Sequence, residues 1–196
     1  TDDFADILQQ LPATITTQVL ENLDARDRAR VESVLSYPED SAGGLMNTDT
    51  ITVRPRHAIE LVLRYLRLRK DLPKSTDSLI VVNSADEYVG MLPLAKLLTS
   101  DPSVIVREIM DSDIPAIHVS ETDAAVARIF SERDLISAPV IGDEGRLVGR
   151  ITIDDVVDVI IEDAEEAVLA QAGLDVDEDT FAPVHKAVRR RAVWLG

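Results

Sequence analysis

The sequence predicts an α/β fold made of two copies of one strand–helix–strand–strand–helix unit, preceded by a short helical segment. Two observations lead there. Short apolar runs of strand length alternate with stretches of helical periodicity. The same order of elements then recurs further along the chain, which marks an internal repeat. Alternation of this kind favours a small sheet covered on one side by helices.

Residues 1–36 read as short helices, too little for a separate core. Ile7, Leu8 and Leu11 form one apolar stripe, Ile15, Val19, Leu20 and Leu23 a second, and Val31, Val34 and Leu35 a third. Pro12 falls near a helix boundary, and Asp24 suits an N-cap with Asp27 in the first turn. The first copy holds Leu45-Met46, the strand Ile51-Thr52-Val53 and a helix through Ile59, Leu61, Val62, Leu63 and Leu66. Strands Leu79–Val82 and Tyr88–Leu92 follow, joined by a turn at Asn83–Glu87, and the helix Leu94–Leu98 closes the copy. The second copy runs from Ile109-Met110 through Ala116–Val119 to a helix carrying Ala124, Ala125, Val126, Ile129 and Phe130. Its strands are Ala138–Ile141 and Leu147–Ile151, and Gly142–Gly145 is the clearest hairpin signal of the chain. Pro139 inside a strand pattern predicts an edge or strand-start position. Gly173 and the acidic run Asp175–Asp179 read as a helix stop and an exposed linker.

Composition narrows the chemistry. The 196 residues are 45% hydrophobic and 29% charged, as in a folded globular protein. A net charge of −16 argues against nucleic-acid binding, which needs a basic face. There are no cysteines, and His57, His118 and His185 stand apart, so carboxylates are the metal-binding groups on offer and favour hard cations such as magnesium or calcium. No signal peptide or membrane-spanning apolar run is seen. The chain starts inside a helical pattern without methionine and ends in a basic run, His185 to Trp194. That run fits either a juxtamembrane flank or a basic helix C-terminus.

Between Arg150 and Lys186 stand eleven carboxylates and no lysine or arginine. Asp154, Asp155, Asp158, Glu162, Asp163, Glu165 and Glu166 share one predicted helix, where like charges three or four residues apart repel by roughly 0.2–0.5 kcal/mol per pair. A solvated acidic face is one reading. A divalent cation supplied from outside the helix is the other, and the concentration of arginines and lysines in residues 54–74 shows that acid is gathered here rather than spread.

The repeated unit, ending in Gly149-Arg150-Ile151-Thr152-Ile153-Asp154-Asp155, resembles a CBS domain, and two in tandem resemble a CBS pair over about residues 45–166. The segment Tyr37–Met46 resembles the connector between the helical N domain and the CBS pair of MgtE-type magnesium transporters, and Val148–Asp158 resembles that family's final CBS helix. On this basis residues 1–44 are an N-terminal remnant and connector, 45–106 and 107–172 the two CBS domains, and 173–196 a linker and basic juxtamembrane helix.

The resemblance implies a magnesium-sensing regulatory segment at the cytoplasmic face of the membrane, homodimeric through its CBS domains and attached to a membrane domain of the same polypeptide. Magnesium held between acidic surfaces would close the module and the pore. By the same resemblance Asp155, Asp158, Asp163 and Glu166, with Asp134 on the preceding helix, are the candidate Mg2+ ligands. Gly44 is a candidate through its backbone carbonyl, although Gly43 and Gly44 also suit a turn. In the arm, Asp24, Asp27, Glu39 and Asp40 are candidates to face the acidic helix, although helix capping is the preferred reading for Asp24 and Asp27.

Thr152 and Asp155 match the Thr-x-x-Asp pattern of nucleotide-binding CBS motifs, with Ile136 and Pro139 as apolar walls and ATP as the implied ligand. Thr152 also suits a helix cap. The first copy departs from the pattern, reading Pro93-Leu94-Ala95-Lys96, so one pocket per chain is expected at most. No catalytic cluster, nucleophile elbow or phosphate loop occurs, and no enzyme is expected. Two alternatives stand beside magnesium sensing: a nucleotide-sensing CBS pair from another channel, transporter or enzyme, and a plain dimerisation module with a salt-adapted surface.

Overall fold

The computed structural model describes residues 36–69 and 71–171. The N-terminal stripes with Asp24 and Asp27, the linker after Gly173 and the basic run lie outside the described residues. The chain divides into two compact units, residues 1–157 and 158–196.

The first unit contains two three-stranded sheets of the same design. A short helix, α1 (Ala42–Leu45), comes first, with Ser41 as its cap. Strand β1 (Thr52–Val53) lies parallel to β2 (Ser78–Val82), and β2 pairs antiparallel with β3 (Tyr88–Pro93). Helix α2 (Ile59–Arg69) makes the crossover, and α3 (Leu94–Thr99) and α4 (Val106–Ile109) follow. In the second sheet β4 (Ile117–His118) is parallel to β5 (Ser137–Ile141), which pairs antiparallel with β6 (Leu147–Thr152). Helix α5 (Asp123–Arg133) crosses over, and α6 (Ile153–Gln171) leaves β6 directly.

Physical chemistry explains these elements simply. Strand β2 is buried along its whole length, so it reads as a continuous apolar run rather than an alternation. One face packs Leu79 and Val81 with Ile59, Val62, Leu92, Leu97 and Val106. The other packs Ile80 and Val82 with Met91, Ile114 and Leu147. Helix α2 has Glu60 in its first turn and Arg67 and Arg69 in its last, in the sense its dipole favours. Helix α5 starts at Thr122, whose hydroxyl accepts from the Ala125 amide. It stops at Asp134, in the left-handed conformation with φ of 52°.

Pro139 corrects the edge expectation: it is the third residue of β5, the middle strand of its sheet. It is tolerated there because β4 pairs with β5 only at Val140 and Ile141, so no neighbour asks Pro139 for an amide hydrogen. Helix α4, only one turn long, is too short to show a period in the sequence.

The two copies are interlocked. Residues leading into each copy pack on the sheet of the other. The Asn47 amide donates to the Arg150 carbonyl at 2.7 Å and the Arg150 amide returns a bond to Asn47 at 2.9 Å. Met91 and Asp111 exchange the same two bonds, both at 2.7 Å. Glycines permit these approaches: a Cβ on Gly90 would stand 2.7 Å from the Asp111 carbonyl, and one on Gly149 would stand 2.7 Å from the Met46 sulfur. The two hairpin turns also bond to each other, Tyr88 to Gly145 at 3.1 Å and Leu147 to Asp86 at 3.0 Å.

Candidate ligand site

At the starts of β2 and β5 and the end of β6 the first unit gathers a polar cluster. Thr152, the last residue of β6, is buried, and its hydroxyl donates to Asp155 Oδ2 at 2.8 Å. The Thr152 amide donates to the same oxygen at 3.3 Å. Asp155 thus sits in the first turn of α6 and clasps the strand end from which the helix leaves. The sequence places Thr152 as a cap by its hydroxyl accepting from the helix; here the carboxylate accepts instead. The Asp154 carboxyl is held below its ordinary value, first by hydrogen bonding from Thr152, with its own amide, Ser75 and the Arg150 charge outweighing its partial burial. Thr152 has a single hydroxyl proton, so the two aspartates compete for it, and the geometry gives it to Asp155.

Across the cluster, Asp77 accepts from two serine hydroxyls, Ser137 at 2.5 Å and Ser78 at 2.8 Å. Ser78 and Ser137 open the equivalent strands β2 and β5, so Asp77 joins the two halves. Arg150 is buried, with its guanidinium donating to the carbonyls of Lys74 and Ser75. Burial pushes its pKa down, while the charges of Asp77, Asp154, Asp155 and Asp49 act against that. Its Nε is buried without a partner among the described residues.

The nucleotide candidates are brought together unevenly. The Ile153 amide bonds to the Ile136 carbonyl at 2.9 Å, which places Ile136 at the cluster with its side chain 54% exposed. Pro139 is buried within β5, opposite Arg150 in register. In the first half the Leu94 amide bonds to the Asp77 carbonyl at 2.9 Å in the matching way, but Pro93 makes no side-chain cap and Lys96 is exposed.

The metal candidates stand on different elements. Asp134 is exposed at the C-terminal cap of α5, where its residue type also suits the left-handed backbone. Asp158, exposed, opens the second unit. The side chains of Asp163 and Glu166 lie outside the described residues, although their backbone is helical. Gly44 is half-buried in α1, and a Cβ there would meet the Pro38 carbonyl at 2.4 Å. Gly43 lies against the Tyr37 ring. Close packing therefore requires both glycines whatever else they do. Among the described residues no three His, Asp or Glu side chains converge as a metal cage. Glu39 and Asp40 are exposed, and the Asp40 carbonyl accepts from the Asp123 amide at 3.1 Å.

Comparison with known proteins gives these features a family. The model of the MgtE intracellular N domain matches residues 1–40, and that of the CBS domain matches residues 106–162. The magnesium transporter MgtE of Thermus thermophilus is 34% identical over 99% of this chain. This chain is an MgtE-family segment. It spans 43% of the Thermus relative's length. The cytosolic domain of the Mg2+ channel MgtE, solved in complex with ATP, is 38% identical, with a TM-score of 0.76 over 81% of this chain and 65% of that one. The fold is a tandem CBS pair: the cystathionine beta-synthase pair domain of a Shewanella oneidensis protein superposes with a TM-score of 0.67 over 83% of this chain and 94% of that one, at 23% identity. Among the described residues of this MgtE-type segment, no helix is long and apolar enough to cross a membrane.

Sequence reasoning missed Arg150 and Asp77 as members of the cluster. An arginine in the fourth position of an apolar strand pattern (Leu147–Thr152) was a usable signal, because burial there demands partners.

Proposed function

We propose that this chain is the magnesium-sensing regulatory segment of a magnesium transporter, working at the cytoplasmic face of the membrane as a homodimer, and that it is not an enzyme. The observation that carries the proposal is α6, with Asp154 and Asp155 in its first turn and no basic residue in its last. Mg2+ takes hard oxygen ligands, keeps several waters and needs only one or two carboxylates per ion. Exposed Asp134 and Asp158 offer oxygen ligands of that kind, as do Asp155, Asp163, Glu166 and the Gly44 carbonyl. Ions held between two acidic surfaces would take one or two carboxylates from each. Such ions bind the closed arrangement better than the open one and so shift the population toward it. The outward residues Leu61, Tyr65 and Leu68 of α2 recur at helical spacing and suit a second copy of the chain.

Small-angle scattering during a magnesium titration tests this. Millimolar Mg2+ is expected to compact a particle of twice 21.5 kDa. Asp155→Asn with Asp158→Asn shifts the midpoint several-fold upward. Compaction by sodium chloride at equal ionic strength would sink the sensor reading, and a single-chain mass would sink the dimer.

A second reading concerns ATP, favoured by the nucleotide in the related cytosolic domain. Asp155 and Thr152 would hold the ribose hydroxyls, Ile136 and Pro139 would flank the base, and the unpartnered Arg150 Nε is a donor left over beside them. Calorimetry with ATP and AMP should show one site per chain, weakened about tenfold by Thr152→Ala, on the scale of a hydrogen bond to a polar ligand. An absence of heat with the unmodified chain removes the reading.

A further inference from the structure

At the opposite end of β2 from the Thr152 cluster, a cavity of about 550 Å3 opens between the ends of β1 and β2 and the start of α4. Its walls include Arg54, Arg56 and Arg107, with Ser84, Pro55 and Ile105. We infer that this cavity binds a phosphoryl anion, a small molecule bearing one or more phosphate groups, through Arg56 and Arg107 with Arg54 as a fixed third wall.

Arg54 is held rigidly: its guanidinium donates to the Asn83 carbonyl and, at 2.8 Å, to Asp86 Oδ1. Arg56 and Arg107 are exposed and form no ion pair among the described residues, in a chain of 36 acidic against 20 basic residues. Acid is abundant, so leaving two arginines open beside one cavity is not a shortage of partners. The loops that carry them are pinned together, since the Arg107 amide donates to the Pro55 carbonyl at 2.9 Å and the Val106 amide to His57 at 2.9 Å.

The repeat supplies an internal control. The bonds Gly43 to Val119 and Arg107 to Pro55 are equivalent, and the register pairs Val53 with Val81 as it pairs Ile117 with Val140. The second-copy counterparts of Arg54, Arg56 and Arg107 are therefore His118, Ser120 and Gly43. There His118 Nε2 meets Asp143 at 3.1 Å, and Gly43 lies against the Tyr37 ring. The fold forms without arginine at these places, so the three arginines serve something other than the fold. His57 behind them has its pKa lowered, first by burial and then by the charges of Arg56 and Arg54.

Guanidinium forks match phosphate oxygens in pairs, and a phosphate gathers two charges on one tetrahedral centre. The Ser84 hydroxyl adds a donor, and Pro55 and Ile105 offer apolar wall to an organic remainder, in a cavity of ligand size. Carboxylates satisfy single forks but not several converging ones as well.

The test uses the 196-residue chain in metal-free buffer with chelator, so magnesium sensing does not enter. Inorganic pyrophosphate, ribose 5-phosphate and citrate are titrated at constant ionic strength by calorimetry, with the His57 imidazole proton resonance followed by NMR. Pyrophosphate is expected to bind one per chain and to raise the His57 pKa toward its ordinary value. Arg56→Gln with Arg107→Gln weakens it at least tenfold, the paired lysine substitutions restore part of the affinity, and Thr152→Ala changes nothing. Tighter ribose 5-phosphate than pyrophosphate identifies an organic phosphate as the ligand type, and the reverse an inorganic one. No binding, binding that survives the double glutamine variant, or citrate as tight as pyrophosphate overturns the inference.

Discussion

Gly90→Ala is expected to lower stability by about 2 kcal/mol, the middle of the range for overpacking a well-filled site. The added Cβ would stand 2.7 Å from the Asp111 carbonyl, a backbone atom that cannot swing aside. Relieving the clash lengthens both Met91–Asp111 hydrogen bonds, now 2.7 Å each. For a chain of this length the melting temperature should fall by roughly 4–8 °C. Gly142→Ala is the control, because a Cβ there meets only Val148 Cγ1, at 3.8 Å. Equal melting temperatures for the two variants would show that the crossing segment is not packed as described.

Arg150→Ala should cost more, about 3–5 kcal/mol, because it removes a buried guanidinium with two hydrogen bonds to backbone carbonyls, each worth about 1.5–3 kcal/mol when one partner is charged. The carbonyls of Lys74 and Ser75 lose their donor, and Asp77, Asp154, Asp155 and Asp49 lose their nearest buried cation. Arg150→Met keeps most of the volume and should recover part of the loss. The pH dependence has a definite sign. Asp154 has a lowered folded pKa, so its contribution is present above the ordinary carboxylate value and is lost as pH falls through the lowered one. Arg150 is one cause of that lowering. The Arg150→Met penalty is therefore larger at pH 7 than in acid strong enough to protonate these carboxylates. Denaturant unfolding at the two pH values checks this, and a penalty that grows on acidification would contradict the charge assignment.

Much of the fold was legible because strand and helix periods differ. The continuous run Leu79–Val82, the hairpin residues before Leu147 and the helix through Val126 and Phe130 all stand where their patterns place them. The partnering of segments was not legible. Leu45-Met46 and Ile109-Met110 read as the starts of their own copies, but Met46 rests on Gly149 and Asp111 pairs with Met91. Nothing local separates packing on one's own sheet from packing on a twin with the same apolar surface. The Thr152–Asp155 pairing was visible as a motif, since both residues lie within one turn. Arg150 was not, because its partners come from residues 74 and 75 and from Asp77, far away in sequence. The cationic cavity was hidden for the same reason: Arg107 meets Arg54 and Arg56 only once β1 and α4 are brought side by side.

The crossed lead-in segments also set an order of events during synthesis. As the chain leaves the ribosome, the first sheet lacks Val106 and its partner for Met91 until residues up to Asp111 have emerged. Asn47 waits longer, for Arg150, about a hundred residues later. Neither half has a point at which translation could pause with a finished product, and a cut between them would leave two fragments each holding the other's missing piece. The repeat looks like two domains on paper, but it matures as one.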